Sequence, residues 1–391
     1  MSLTATPMTA SHVQSSLRAE MPVAERWAYF DHAAVGPLTR AAAQAIQRYC
    51  GQVLESGDVH WPQWAADVEQ TRAVAAELIG AQPTEIALVH STTEGITMVS
   101  EGLDWRAGDN VVIPAGEFPT NIYPWLHLQE RGVEVRQVKM PEIVWDYQRL
   151  ADACDTRTRL ISCSWVGYAN GFRCDPMIVS QIARRFNAFF LLDAIQGLGV
   201  FPLDVKAAGI DFLSADGHKW MLSPEGAGLA YIRHDLLERL RPNIAGWNSV
   251  EGRFDFQNVQ LQFRAEAARY EAGAQNMVGQ LAFGGSLRTL RQAGLSANSW
   301  ALAEQVLRSA SYLTRQLVNL GAEIQELPEH VRSGIVMFQL PGHDPMAVRQ
   351  KLLDAGVVVS CRAGRLRVAI HAYNDDSDFA RLLNVLEGLS R

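Results

Sequence analysis

The sequence predicts an α/β fold built around a doubly wound, mainly parallel sheet, followed by a smaller α+β domain. Between residues 83 and 233, short apolar or β-branched runs alternate with amphipathic helical stretches, which is the order that repeated strand–helix–strand units produce. Most of these runs are continuously apolar, as strands covered on both faces require. After Arg241 the pattern changes to a loop, a long helical region and a second alternation of strands and helices.

The elements of the large sheet follow one another at short intervals. Strands are predicted over residues 86–90, 110–114, 133–138, 159–165, 188–193, 212–215 and 228–233. Helical spacing predicts helices over residues 93–103, 119–131 and 176–186. In a sheet of this type, ligands bind at the carboxyl ends of the strands.

The remainder of the chain predicts the domain organisation. An Ala/Leu-rich helical region covers residues 277–320 and is interrupted near Gly294. Beyond it, strands at 323–326, 334–340, 356–360 and 366–371 alternate with helices at 344–355 and 376–389. We therefore expect an N-terminal segment (1–25) packing on the small domain, a large α/β domain (26–255), a helical connection (256–320) and a small C-terminal domain (321–391).

Composition excludes several classes of function. The 391 residues are 48% apolar and 20% charged, which predicts a folded protein with a large core. The net charge of −7 comes with no basic tract, which argues against nucleic acid or an anionic membrane as partner. No apolar run reaches the roughly 18 residues of a membrane span. Five scattered cysteines without metal-binding spacing indicate reduced thiols in the cytoplasm and no metal site.

One lysine stands out. Only four of the 35 basic side chains are lysines, and Lys219 lies in the segment Ser214-Ala-Asp-Gly-His-Lys-Trp220, directly after an apolar strand. A lysine at such a strand end can have a lowered pKa and form a Schiff base with an aldehyde. A surface loop lysine is the alternative that local sequence leaves open.

Two further features follow other strands of the same sheet. The apolar strand at 188–193 ends in Asp193, and a buried carboxylate there needs a cation or a donor such as a protonated pyridine nitrogen; helix capping is the alternative. Ser91-Thr-Thr-Glu-Gly95 follows the first strand and joins hydroxyls to the free N–H groups of a helix start. This pattern is typical of a helix cap, and it can also form an anion-binding site.

With all three features in this order, the sequence resembles the class V aminotransferase group of fold-type I pyridoxal phosphate (PLP) enzymes. The group includes cysteine desulfurases, selenocysteine lyases, isopenicillin N epimerase-like proteins and kynureninase. The resemblance extends from Tyr29-Phe-Asp-His-Ala-Ala34 to the segment from Arg367 to Asn374, and rests most on D-x-x-Q at Asp193 and S-x-x-x-H-K ending at Lys219. It implies PLP as cofactor and a homodimer.

The resemblance also implies roles for individual residues. Lys219 would carry the Schiff base, Asp193 would keep the ring nitrogen protonated, and His218 precedes the lysine as in desulfurases. The implied cofactor-binding positions are Thr92, Thr93, Phe118, Asp193, Gln196, Ser214, His218, Lys219 and Gln275. The implied substrate-binding positions are Arg367, which would clamp the α-carboxylate as a bidentate pair, together with His32 and Asn170.

Three departures from the family pattern matter. Asp216 replaces a phosphate-binding serine, so either Ser214 reaches the phosphate or Asp216 turns away. Ala274 replaces the threonine that reaches the partner subunit's phosphate in relatives, and Gln275 or Asn276 could substitute for it. The loop that carries the nucleophilic cysteine of desulfurases is deleted before Arg367, so Cys361 is predicted to be a structural thiol.

The implied chemistry is reaction of an amino acid through an external aldimine and a quinonoid, with Lys219 as general base. We expect a class V aminotransferase. The alternative within the family is a cysteine or selenocysteine C–S (C–Se) lyase, a desulfurase-like enzyme or an epimerase. The alternative outside it is a catalytically idle PLP-fold binding protein.

Overall fold

The computed structural model describes residues 10–390. The strands are β1 (Ala28–Tyr29), β2 (Ile86–Val89), β3 (Asn110–Pro114), β4 (Glu134–Val138), β5 (Thr158–Ser164), β6 (Phe189–Asp193), β7 (Phe212–Asp216), β8 (Gly228–Ile232), β9 (Glu323–Ile324), β10 (Ile335–Gln339), β11 (Val357–Val358), β12 (Ser360–Arg362) and β13 (Arg365–Ala369). The α-helices are α1 (Ala10–Ala19), α2 (Arg40–Ser56), α3 (Trp61–Leu78), α4 (Thr92–Gly102), α5 (Tyr123–His127), α6 (Tyr147–Asp152), α7 (Pro176–Arg185), α8 (Met277–Gln292), α9 (Ala301–Asn319), α10 (Pro345–Asp354) and α11 (Asp376–Ser390). Within this part of the chain, every helix is too short or too polar to cross a lipid bilayer.

Seven strands form the large sheet, in the order β2-β8-β7-β6-β5-β3-β4. All of them run in one direction except β8, which is antiparallel to both of its neighbours. Successive residues of one strand enter different cores: Val111 and Ile113 pack in one apolar cluster and Val112 in the other. Because neighbouring side chains of a strand point to opposite faces, both faces of the sheet are covered. The predicted doubly wound, mainly parallel sheet is confirmed.

The predicted helix at 119–131 is wrong as a continuous element. The segment contains the five-residue helix α5 between two 3-10 turns. Pro119 begins the first of these turns and Pro124 lies in the first turn of α5. Since proline has no N–H to donate, each marks the start of a new helical turn and divides the segment.

The predicted helical region at 277–320 begins at the predicted residue and forms the two helices α8 and α9. Residues 256–276 contain no α-helix, only a 3-10 turn at Ala267–Tyr270, and α8 starts at Met277. Asn276 caps α8 by accepting the N–H of Gly279 with its side chain. The domain limits proposed from the sequence stay predictions.

A second, antiparallel sheet has the order β12-β13-β10-β9 and encloses its own apolar core with α9, α10 and α11. The predicted strand at 356–360 is split in two, because β11 pairs with β1 while β12 joins this sheet. Helix α1 packs beside α9. Its Arg18 forms ion pairs with Asp375 and Asp378, each at 2.8 Å.

Candidate active site

A cavity of about 270 Å³ opens where the carboxyl ends of β5, β6 and β7 meet the start of α4. The strand ends and loops of the large sheet supply most of its wall, and the rest comes from the β12–β13 hairpin of the small sheet and from Ala33 and Ala34 after β1. Eight of the residues predicted from the sequence line it, namely Thr92, Thr93, Phe118, Asp193, Gln196, His218, Lys219 and Arg367. The convergence of separate strand ends on one edge is the arrangement expected for this sheet type.

Lys219 lies in the turn after β7, with 9% of its surface exposed. Burial lowers the pKa of its amine to about 8, and the charge of Asp193 opposes that shift. A lysine that is partly neutral near physiological pH is the nucleophile that a Schiff base requires. The turn packs against Gly36, whose N–H donates to the His218 carbonyl at 2.6 Å. A Cβ at Gly36 would lie 2.0 Å from the Lys219 carbonyl oxygen, so this approach requires glycine.

Asp193 ends β6 and is 2% exposed. Its Oδ1 accepts the N–H of Ile195 at 3.1 Å. Burial raises the pKa of this carboxyl to about 6, while the Ile195 hydrogen bond and Lys219 lower it. Within residues 10–390, no Lys or Arg nitrogen forms an ion pair with it. A buried carboxylate that lines a cavity in this way favours a cationic or N–H-donating ligand.

The start of α4 forms an anion-binding end of the cavity. Ser91 caps the helix by accepting the N–H of Glu94 at 3.1 Å. The Thr93 and Thr120 hydroxyls lie 2.9 Å apart, and both residues line the cavity. Because the first N–H groups of a helix have no intrahelical acceptor, hydroxyls and N–H groups here can hold a phosphate.

Asp216 does not turn away from this end, contrary to one alternative from the sequence. It lines the cavity, and its Oδ2 lies 3.0 Å from Nδ1 of His218. Its backbone N–H donates to the Thr92 hydroxyl at 2.9 Å. Ser214, the other alternative, is fully buried behind the cavity and donates its hydroxyl to the Thr92 carbonyl at 3.0 Å, so its contact with a phosphate stays a prediction.

Two residues are placed to hold a flat ring. The Phe118 ring is 43% exposed, lines the cavity and has the Lys219 amine 5.4 Å from its centre. The Gln196 amide is held on two sides: its Nε2 donates to the Ala33 carbonyl at 3.0 Å, and its Oε1 accepts the indole N–H of Trp220 at 2.7 Å. An exposed aromatic face beside a fixed amide suits a planar, polar ligand.

Arg367 enters from the small sheet and is 1% exposed. Its Nε donates to the Ser360 hydroxyl at 3.1 Å, its Nη1 to the Tyr168 carbonyl at 2.9 Å, and its Nη2 to Asp31 Oδ1 at 3.2 Å. These bonds use three of its five N–H groups. One N–H therefore remains on each terminal nitrogen, enough for the two oxygens of a carboxylate.

Besides Ser214, three predicted residues do not line this cavity: His32, Asn170 and Gln275. His32 is fully buried, with Nδ1 2.8 Å from the Ala369 carbonyl and Nε2 2.8 Å from the Tyr373 hydroxyl, and burial holds its pKa well below 6.5. Asn170 accepts the Phe172 N–H in a turn of its own loop. Both side chains are thus occupied by contacts within the chain, and their substrate contacts stay predictions. Gln275 bonds to Glu271 at a separate depression, and its predicted role toward a second subunit stays a prediction.

The prediction missed Glu117, which lies behind the cavity and is 7% exposed. Its Oε1 accepts the Ser164 N–H at 2.8 Å, and its other oxygen bonds to the Ser164 hydroxyl. Burial raises the pKa of Glu117 to about 7, the Ser164 hydrogen bonds oppose this, and the charge of Asp193 adds to the rise. The position of this glutamate directly before Phe118, which the sequence had already singled out, was the available signal.

Tyr168 and Arg362 also line the cavity. The Tyr168 ring packs edge-on against Phe118, with ring centres 5.2 Å apart. Arg362 lies directly before the point at which the cysteine-bearing loop of desulfurases is deleted. Its position on the cavity wall could have been inferred from that departure.

Pyridoxal phosphate fits these residues. Lys219 can bond its aldehyde, the Asp193 carboxylate can accept from its ring nitrogen, and the start of α4 can hold its phosphate. Phe118 offers a face for the ring. No three His, Cys, Asp or Glu side chains of residues 10–390 are grouped as a metal site would require.

Comparison with known proteins gives the same family. A family model described as aminotransferase class-V matches residues 28–382. A protein of Methanothermobacter thermautotrophicus named a probable cysteine desulfurase is 29% identical over 400 residues, covering 96% of this chain and 97% of the relative.

Solved structures share the fold over nearly the whole chain. The apo cysteine desulfurase of Thermococcus onnurineus NA1 gives a TM-score of 0.88 at 24% identity, covering 98% of this chain and 99% of that one. The cystine C–S lyase C-DES, in complex with its product cysteine persulfide, gives 0.85 at 23% identity, covering 92% and 97%. A C-DES variant with glycine linked to its PLP cofactor gives 0.87 at 22% identity, covering 95% and 98%. With the match over residues 28–382, this chain belongs to the class-V aminotransferase family, whose cofactor, pyridoxal phosphate, fits the residues of the cavity.

Proposed function

We propose that this protein is a PLP-dependent lyase that cleaves the Cβ–S or Cβ–Se bond of an amino acid by β-elimination, without a protein persulfide. One observation carries the proposal: Lys219, Asp193 and Arg367 line one cavity, and none of the five cysteines, all within the described residues, lines it. The names of the relatives, cysteine desulfurases and a cystine C–S lyase, support C–S chemistry over the transamination expected from the sequence.

The β12–β13 hairpin explains why a thiol is absent from the cavity wall. The strands are joined by Ala363 and Gly364 alone, and both have positive φ, 49° and 73°, as a tight type I′ turn requires. Cys361 lies on β12 and donates its Sγ–H to the Pro345 carbonyl at 3.4 Å. Burial raises the pKa of its thiol, which lowers its reactivity as a nucleophile.

Each of the main residues of the cavity has a separate role in a β-elimination. When bound, PLP supplies an electron sink for negative charge at Cα. Arg367 binds the α-carboxylate through its two remaining N–H groups and so orients the Cα–H bond. Lys219, with an amine pKa of about 8, removes the Cα proton as general base. The Cβ–S bond breaks with its electron pair on sulfur, which takes up a proton, and the 2-aminoacrylate released is hydrolysed by water to pyruvate and ammonia. The other product is sulfide from cysteine, cysteine persulfide from cystine and selenide from selenocysteine.

Product analysis with holoenzyme tests this proposal. Cystine, cysteine and selenocysteine are supplied in turn, and pyruvate, sulfide and selenide are measured with and without an α-keto acid. Pyruvate formed from the amino acid in the absence of a keto acid is the expected result. Turnover only with a keto acid, accompanied by the pyridoxamine form of the cofactor, would replace the proposal with transamination. Loss of optical activity without pyruvate would replace it with epimerisation.

We propose further that the protein acts as a homodimer. Phe254 contacts both Trp61 and Trp247, and Trp61, Trp247 and Phe254 are 37%, 43% and 53% exposed. They line a depression that Gln275 shares, which is the residue expected to reach a second subunit. Exposed apolar side chains grouped in this way are typical of protein interfaces. Light scattering after gel filtration tests the dimer, and Phe254→Asp is expected to weaken it.

A cytoplasmic location is proposed because the five cysteines of the chain are all free thiols.

A further inference from the structure

Arg362 presents a positive charge to the cavity without an acidic partner. It ends β12 and lines the same cavity as Lys219 and Arg367. Its Nη1 donates to the Cys361 carbonyl at 2.8 Å. Within residues 10–390, the structure shows no ion pair between Arg362 and an Asp or Glu. The guanidinium of this exposed residue is therefore held at the mouth of the cavity by a neutral backbone acceptor and not by a carboxylate.

Arg367 alone has enough free hydrogen-bond donors to bind an α-carboxylate. It is paired with Asp31, and it keeps one free N–H on each terminal nitrogen. The α-carboxylate of an amino acid would use both of these donors. A second arginine at the same cavity is thus in excess of what a substrate with one carboxylate requires.

Arg362 is close enough to act on both of the other cations. Burial is the main cause that lowers the pKa of Lys219 and of Arg367, and the charge of Arg362 adds to both shifts. Three cationic groups around one cavity repel one another and attract an anion. Within residues 10–390, Arg367 is paired with Asp31, and Asp193 and Asp216, which line the same cavity, act on Lys219, whereas Arg362 has no ion pair with a carboxylate. This charge distribution favours a ligand with more than one negative group.

We propose that Arg362 binds a second anionic group on the substrate side chain, so that the enzyme selects amino acids bearing a carboxylate, sulfinate or sulfonate beyond Cβ. The inference rests on the proposed function for the use of the cavity by an amino acid. For a C–S lyase the anion would belong to the substituent on sulfur. The two-residue turn after Arg362 keeps the hairpin short and holds this cation at the cavity wall.

Binding of matched acids and amides tests the proposal. Dissociation constants of holoenzyme for L-glutamate and L-glutamine, and for L-aspartate and L-asparagine, are measured by isothermal titration calorimetry. Each pair differs in charge and hardly in shape. Wild type is expected to bind the better of the two acids about tenfold more tightly than its amide, the magnitude of one charge-assisted hydrogen bond. Arg362→Gln is expected to reduce that ratio to about one, and Arg362→Lys to restore part of it.

The control is Arg365→Gln. Arg365 is the cross-strand neighbour of Arg362 on the same hairpin, but it lies outside the cavity wall. This variant is expected to keep the wild-type ratio. The proposal is overturned if wild type does not prefer the acids, if Arg362→Gln keeps the preference, or if it weakens acid and amide equally, which would assign Arg362 to the α-carboxylate. Because the titration measures binding alone, failure of C–S cleavage would appear in the pyruvate assay and leave this ratio measurable.

Discussion

Arg367 and Asp31 form an ion pair at the end of the cavity that we propose binds the substrate carboxylate, with Nη2 3.2 Å from Oδ1. Ser360 joins them: its hydroxyl donates to Asp31 at 2.7 Å and accepts from Arg367 Nε at 3.1 Å. Each of the three side chains thereby fixes the other two. The guanidinium is held in one orientation before a substrate arrives, which lowers the cost of ordering it on binding.

Arg367→Lys is expected to reduce kcat/KM for amino acid substrates about 100-fold, mainly through KM. Lysine keeps the charge but cannot reproduce the planar fork that bonds Ser360, Tyr168 and Asp31 while binding a carboxylate. Steady-state kinetics measure the effect, and the visible absorbance of the bound cofactor should be unchanged. A KM equal to that of wild type would show that Arg367 does not bind the substrate carboxylate.

Lys219 is expected to carry the cofactor covalently. It is the buried lysine of the cavity, whereas Lys206 is half exposed and pairs with Glu85 at 3.5 Å. Borohydride reduction followed by peptide mapping should place the pyridoxyl label on Lys219. Label on Lys139, Lys206 or Lys351 would contradict the assignment.

Asp193→Asn is expected to keep the cofactor and lower turnover at least about 100-fold. An amide preserves the shape of the site but cannot neutralise a protonated ring nitrogen, so the electron sink is weakened. Two quantities are measured for the variant and for wild type. The first is the cofactor content, from absorbance after denaturation, and the second is kcat on an identified substrate. Full turnover in the variant would show that Asp193 has no catalytic role and serves only to accept the Ile195 N–H.

The large sheet and its reactive strand ends could be predicted because their signals are local. Strands buried on both faces are continuously apolar, and the observed ends of β6 and β7 place Asp193 and Lys219 at the same edge. The family resemblance then supplied roles for Phe118, Gln196 and Arg367. All of these residues line the cavity.

Other side chains could not be placed from the sequence because distant partners determine their orientation. His32 bonds to Ala369 and Tyr373, more than 330 residues away, and is drawn away from the cavity. The hydroxyl of Ser214 is taken by the Thr92 carbonyl, 122 residues away. No local pattern records either partner.

Glu117 is expected to make stability fall as the pH rises. Its folded-state pKa of about 7 lies above the ordinary 4.5, so the folded state holds the proton more tightly than the unfolded state. The resulting penalty is absent below pH 4.5, grows between pH 4.5 and 7, and reaches about 3 kcal/mol above that range. Glu117→Gln should therefore gain free energy of unfolding relative to wild type as the pH increases.

Urea unfolding of the apoprotein at pH 5 and pH 8 measures this gain. The exposed Glu130→Gln is the matched control, for which the difference from wild type should not depend on pH. A pH-independent difference for Glu117→Gln as well would show that the buried carboxyl ionises normally in the folded protein.

Cys361→Ala is expected to leave C–S cleavage at wild-type rate. Its thiol is turned to the Pro345 carbonyl, lies outside the cavity wall and has its pKa raised by burial. The turn that follows β12 contains two residues, and since each residue spans at most about 3.6 Å, no loop is available there to carry a thiol to the substrate sulfur. Cysteine and cystine are assayed for pyruvate and sulfide with a thiol acceptor present, and the protein is analysed by mass spectrometry for added sulfur. Loss of sulfide release in Cys361→Ala, together with a trapped persulfide on Cys361 of wild type, would instead make this protein a persulfide-forming desulfurase.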